Sequence, residues 1–195
     1  MTQPTAISRR TGLGLLVAAA ASPALAQTSR GGPSWSTAWT ATLQRQAANA
    51  AVVTGRTVRV KTVLSAGGTE IRVRLSNAFG AKPLRIGAAS VLAKGRITPL
   101  AFSGEKSIVA PPGAVVISDA VKLASAALEV VEISLFLPDE ATAETYQRGP
   151  AAKGAVISEP GDFTGQAAMP QASETYPSFV SAVEVAGARR PPRPR

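Results

Sequence analysis

Histidine and cysteine are both absent from this 195-residue chain, and that removes most of the chemistry a globular protein of this size performs. A Ser-His-Asp relay needs a general base with a pKa near working pH, which imidazole supplies. Lysine can serve in its place beside a serine, but no such pair is expected here. Thiolate and imidazole are also the usual ligands of zinc and most transition metals, so neither a metal centre nor a cofactor is expected. No GxxxxGK[ST] phosphate loop is present. Paired carboxylates can run a glycosidase, and the candidates are Asp139-Glu140 and the Glu129/Glu132 pair that flanks Val130-Val131. Charged residues at strand and loop ends are mostly solvated, which is the reading taken for both pairs. Trp35 and Trp39 are the candidate binding residues. Their rings could hold a sugar, or they could pin a first strand onto the core with each indole N–H satisfied at the edge. Only five Phe, two Trp and two Tyr are present, so burial is the expected role.

The elements that would position these residues are short strands. Breakers punctuate the chain: 17 Gly and 15 Pro divide apolar runs of strand length. Runs at residues 57–64, 71–76, 84–92, 107–110, 115–117, 121–123, 130–137, 155–158 and 179–185 predict strands. In the first of these, Val58, Val60 and Thr62 alternate with Thr57, Arg59 and Lys61, and in the second Ile71, Val73 and Leu75 alternate with Arg72, Arg74 and Ser76, the two-residue period of a half-buried strand. The Gly-rich link between them predicts a hairpin. On such a hairpin Arg72, Arg74, Arg59 and Lys61 would line one basic stripe, read as a solvated face because no aromatics interleave with it. Only residues 43–52 suggest a short helix, or an irregular strand. The expected fold is an all-β antiparallel sandwich, jelly-roll-like, because parallel strands would need a helical crossover each time. Its core is expected to include Ile71, Val73, Leu75, Ile133, Leu135, Phe179 and Val183.

The net charge of +9 suggests a nucleic-acid partner only until it is divided by region. Six arginines, at 9, 10, 189, 190, 193 and 195, lie near the ends. Without them 15 basic residues face 12 acidic ones, a net of +3 for residues 27–188, so no specific nucleic-acid binding is expected. Residues 1–26 read as a signal peptide: paired arginines, an apolar run too short to span a bilayer, and Ala-Leu-Ala before Gln27. The paired arginines fit the twin-arginine route, and the protein is expected to be exported to the periplasm or beyond, without a transmembrane segment. Residues 27–33 read as a flexible lead-in, 34–185 as the sandwich, and 186–195 as a disordered Arg/Pro-rich tail.

The wording of one strand goes further. Residues 71–80, IRVRLSNAFG, followed by PLRIGAA at 83–89, closely resemble the N-terminal β-sandwich domain that precedes the catalytic domain in one group of secreted SGNH/GDSL hydrolases. The likeness continues at residues 35–39, 100–104, 111–114, 118–121, 133–138, 160–165 and 179–185, so it covers most of residues 34–185. By that resemblance the complete enzyme would hydrolyse esters, with acylated carbohydrates or lipids as substrates, through a serine nucleophile in a Gly-Asp-Ser turn and a histidine. Gly161-Asp162-Phe163 begins like such a turn but puts phenylalanine at the nucleophile, and Pro-Gly-Asp forms turns for conformational reasons alone. The chain is therefore expected to be the family's non-catalytic accessory domain, stopping before the catalytic one through truncation or a frameshift. The alternative is a stand-alone exported module that binds polysaccharide or a protein.

Overall fold

A computed structural model describes residues 33–46, 50, 52–147, 155–175 and 179–187. Among them every regular element is a strand, and no helix is long and apolar enough to cross a membrane. In chain order the strands are β1 Trp35–Thr40, β2 Leu43–Arg45, β3 Val52–Val53, β4 Arg56–Val63, β5 Gly68–Ser76 and β6 Leu84–Ile86. They continue as β7 Ala88–Ala93, β8 Arg96–Pro99, β9 Ile108–Ala110, β10 Val115–Ile117, β11 Val121–Ser125 and β12 Val130–Leu137. The last are β13 Ala141–Thr142, β14 Thr145–Gln147, β15 Ala155–Pro160, β16 Gln171–Thr175 and β17 Val180–Ala186.

Two antiparallel sheets carry the fold. One runs β16-β15-β4-β12-β7-β8; the other runs β1-β17-β5-β10, with β11 also paired to β5. Three small ribbons, β13-β3, β14-β2 and β6-β9, complete the described pairings. Ile71, Val73 and Leu75 of β5, Val183 and Val185 of β17, Val58 and Val60 of β4, and Ile133 and Leu135 of β12 are all buried in one cluster, with Phe179 beside them. Each sheet thus supplies one apolar face to a shared core, as a β-sandwich does. All seven expected core residues are in it.

The structure corrects the expected hairpin between β4 and β5. They pair with different sheets, so the link crosses from one layer to the other. Leu64 is buried where the chain crosses, its N–H donating to the Glu129 carbonyl at 2.9 Å. Gly67 and Gly68 serve close approach: a Cβ on either would sit 2.4 Å from a backbone oxygen, of Ser125 and Ala186 respectively. Alternation reports which face of a strand is buried and is silent on whether the next strand lies beside it or across the core. The helical option for residues 43–52 is also set aside where that segment is described: β2 and β3 are strands held by β14 and β13. Residues 47–49 and 51 lie outside the described residues.

Polar residues in the segments that carry the resemblance are joints. Asn77, buried where β5 ends, donates its side-chain amide toward the carbonyls of Lys82, Ala110 and Pro111 at 2.9–3.1 Å. Its own carbonyl accepts from Gly80 and Gly113, and a Cβ on Gly80 would overlap the Asn77 side chain at 1.8 Å. Asp119 likewise receives the Ser103 and Gly104 N–H groups at 2.9 and 2.7 Å. At the far end β17 takes in Ala186, which is buried, one residue beyond the expected domain edge. The expected leader, most of the expected lead-in and residues 188–195 of the expected tail lie outside the described residues.

Leu135→Ala, at a fully buried site, should lower the unfolding free energy by about 2–5 kcal/mol. Val73→Asp should abolish cooperative unfolding, because an unpaired buried charge outweighs the stability of a small domain. Urea denaturation followed by far-UV circular dichroism measures both.

Candidate functional site

The densest polar construction lies on the outer face of the six-stranded sheet. Arg59 of β4, Ser134 of β12 and Ser90 of β7 form one row across three strands, since Ser134 is in register with both Arg59 and Ser90. The alternation of β4 predicts a wet outer face. Instead Thr57 and Arg59 are buried, because the segment 161–167 that follows β15 folds down over them. Arg59 donates from Nε to the Ser134 hydroxyl at 2.8 Å, from Nη1 to the Ala167 carbonyl at 2.6 Å, and from Nη2 to the Phe163 and Gln166 carbonyls at 3.2 and 2.6 Å. Burial lowers the guanidinium pKa below its ordinary value and Glu132 pulls it back up, and arginine stays charged regardless. The Ser90 hydroxyl donates to the Thr164 carbonyl at 2.6 Å, while the Thr57 hydroxyl donates to the Gly161 carbonyl and accepts from the Phe163 N–H. The whole 161–167 segment is thereby tied to the sheet.

Within that segment Gly161 takes a φ of 140°, and Asp162 Oδ1 accepts from both the N–H and the hydroxyl of Thr164, at 3.0 and 2.6 Å. This is an Asx-type turn, the conformational role expected for Pro-Gly-Asp. It makes Thr164 a hydroxyl that donates to a carboxylate two residues before it, within the turn itself.

The two tryptophans are not brought together. A β-bulge between Thr37 and Trp39 shifts the register of β1 on β17, so residues four apart fall on opposite faces. Trp39 packs against the core. Trp35 lies on the outer face, half-buried, with the Arg72 guanidinium 4.1 Å from its ring centroid, a cation–π contact. That arginine in turn holds Glu184 of β17 at 2.6 Å, and Arg74 binds the other oxygen of the same carboxylate. The Glu184 side chain is only 5% exposed. The basic stripe imagined on one hairpin is therefore corrected twice: Arg72 and Arg74 are on the other sheet from Arg59 and Lys61, and both neutralise a buried carboxylate.

The carboxylate pairs are ion-pair partners. Glu132 lies 3.8 Å from both Arg59 and Lys61. Glu129, expected to be solvated, has a side chain only 9% exposed that meets Lys94 at 3.0 Å and caps the Ala126 N–H. Asp139 and Glu140 meet Arg85 and Lys82 at the surface. Among the described residues no group of three or more carboxylates could hold a metal ion. One spacing was missed in the sequence: Ser103-Gly104-Glu105-Lys106 is a Ser-x-x-Lys string. It falls in a tight turn closed by the Phe102–Glu105 bridge, both side chains are exposed, and they share no hydrogen bond, so the pair lacks the nucleophile–base contact that catalysis requires.

Arg59→Met should destabilise the domain by about 2–4 kcal/mol, the scale of losing several hydrogen bonds to a charged donor. Arg59→Lys should not restore it, because one ammonium cannot reproduce the planar fork. Urea denaturation reads the loss, and limited proteolysis should show residues 161–167 newly cleavable in both variants. A loss under about 1 kcal/mol, the size of a surface ion pair, would show that the segment is held by other contacts.

No family model matches this chain, and no curated protein matches it either.

Proposed function

We propose that this chain is the non-catalytic β-sandwich accessory domain of an exported SGNH/GDSL ester hydrolase, standing beside the serine- and histidine-bearing domain that performs the chemistry. The observation that carries this reading is the state of the hydroxyls. Each buried serine of the described residues, at 76, 90, 118, 134 and 158, is hydrogen-bonded to backbone or to Arg59. The chain has no imidazole to activate any of them, and the Ser103–Lys106 string is open to solvent with its two side chains apart. A second support is where the family wording falls. Asn77, Asp119 and Asp162 each sit in a segment that carries it, and each spends its side chain fixing the backbone of the sandwich. A scaffold retains such residues; a catalyst needs others in addition. The resemblance brings with it esters of carbohydrates or lipids as substrates of the whole enzyme, and the leader brings export.

A stand-alone exported binding module is the second reading, favoured by one observation: an open groove beside the 161–167 segment.

The full chain should hydrolyse p-nitrophenyl acetate and butyrate at the buffer rate. Turnover well above buffer that survives further purification and disappears on a single Ser or Thr substitution would overturn the accessory reading.

A further inference from the structure

The tethered 161–167 segment forms one wall of a groove on the outer face of β7 and β8. Its volume is about 550 Å³, within the roughly 300–1,000 Å³ range of small-molecule sites. Ala88, Ile97 and Pro99 contribute its apolar lining, and Lys106, Asp162 and Gln166 supply polar groups. The Lys106 ammonium and the Gln166 side-chain amide have no partner among the described residues, and Asp162 spends only Oδ1 on Thr164, leaving Oδ2 free. The site therefore offers a cation, an anion and an amide, none paired with another.

That combination selects a class of ligand. Donors and acceptors are present together, as a hydroxyl needs, since each hydroxyl both donates and accepts. The formal charges cancel, so neither a polyanion nor a polycation is favoured. A bare acyl chain would desolvate three polar groups without compensation, whereas a sugar ring can set its C–H face on the apolar lining and its hydroxyls on the rest. The wall is also fixed in advance: Arg59, Ser90 and Thr57 hold segment 161–167 to the sheet, so little ordering entropy opposes binding.

We propose that this groove binds a neutral pentose or hexose unit of a polysaccharide, an inference that takes its biological sense from either of the two readings above, the accessory domain or the stand-alone binding module. No aromatic ring lines the groove, so affinity is low, with a Kd on the order of 1 mM.

The test is a titration of the ¹⁵N-labelled full chain with xylotriose and with cellotriose, followed by amide chemical shifts. At least one of the two sugars should shift Ser90, Gly165 and Gln166 in a saturable way. Gly165→Leu should weaken binding about tenfold, or 1.4 kcal/mol, without changing Tm, because a Cβ there meets nothing within 4 Å and the backbone is unstrained. Lys106→Ala with Gln166→Ala, both at exposed positions, should weaken it severalfold with the groove's shape kept. No shift with either sugar, shifts centred on Trp35, or binding unchanged in both variants overturns the proposal. The ester assay is decided separately: an inactive chain that ignores both sugars keeps the accessory role and loses the groove, and an active chain that binds sugar does the reverse.

Discussion

Taking a guanidinium out of water costs several kcal/mol unless most of its donors are met, and in this sandwich the guanidinium taken out is that of Arg59. Its partners come from two places: Ser134 of the neighbouring strand, and three carbonyls of the segment that follows β15. Neither set is sufficient alone. The charge can be buried only if residues 161–167 lie across the sheet, and they lie there because the charge and the flanking hydroxyls of Thr57 and Ser90 hold them. From that mutual requirement follow the burial of the outer face of β4, the Asx turn at Asp162, and the wall of the groove over β7 and β8.

The second sheet repeats the logic with the signs exchanged. Glu184 is the buried charge, and Arg72 and Arg74 close over it with Trp35 stacked on Arg72. Three of the four charges of the basic stripe read in the sequence, Arg59, Arg72 and Arg74, are thus committed to the architecture. That leaves a body of nearly balanced charge whose polar groups act mainly on its own backbone. These commitments are what hold the described shape, and they are consistent with the scaffold role proposed above.

Much of the fold was legible because it depends on local pattern. β10 and β12 match their apolar runs, and Ile71, Val73 and Leu75 fall in the core, since a two-residue period fixes which face is buried. What was not legible depends on partners distant in sequence. The β4–β5 link reads as a hairpin until β4 is seen paired in one sheet and β5 in the other. The bulge at Ala38, which parts the two tryptophans, leaves no mark in composition. Short β2, β3, β13 and β14 owe their pairing to one another and not to propensity. The site was the least legible part: Arg59 looks like any outward residue of a strand, and only the carbonyls of residues 163, 166 and 167, more than a hundred positions away, make it a buried one.

The central claim is that this sandwich is scaffold and not catalyst, and covalent labelling tests it most directly. The full chain is treated with a fluorophosphonate, which reacts with activated serines, and analysed by intact-mass and peptide mass spectrometry. The account predicts no adduct beyond that of heat-unfolded chain. Stoichiometric modification of a single serine in the folded protein, abolished by unfolding, would contradict it.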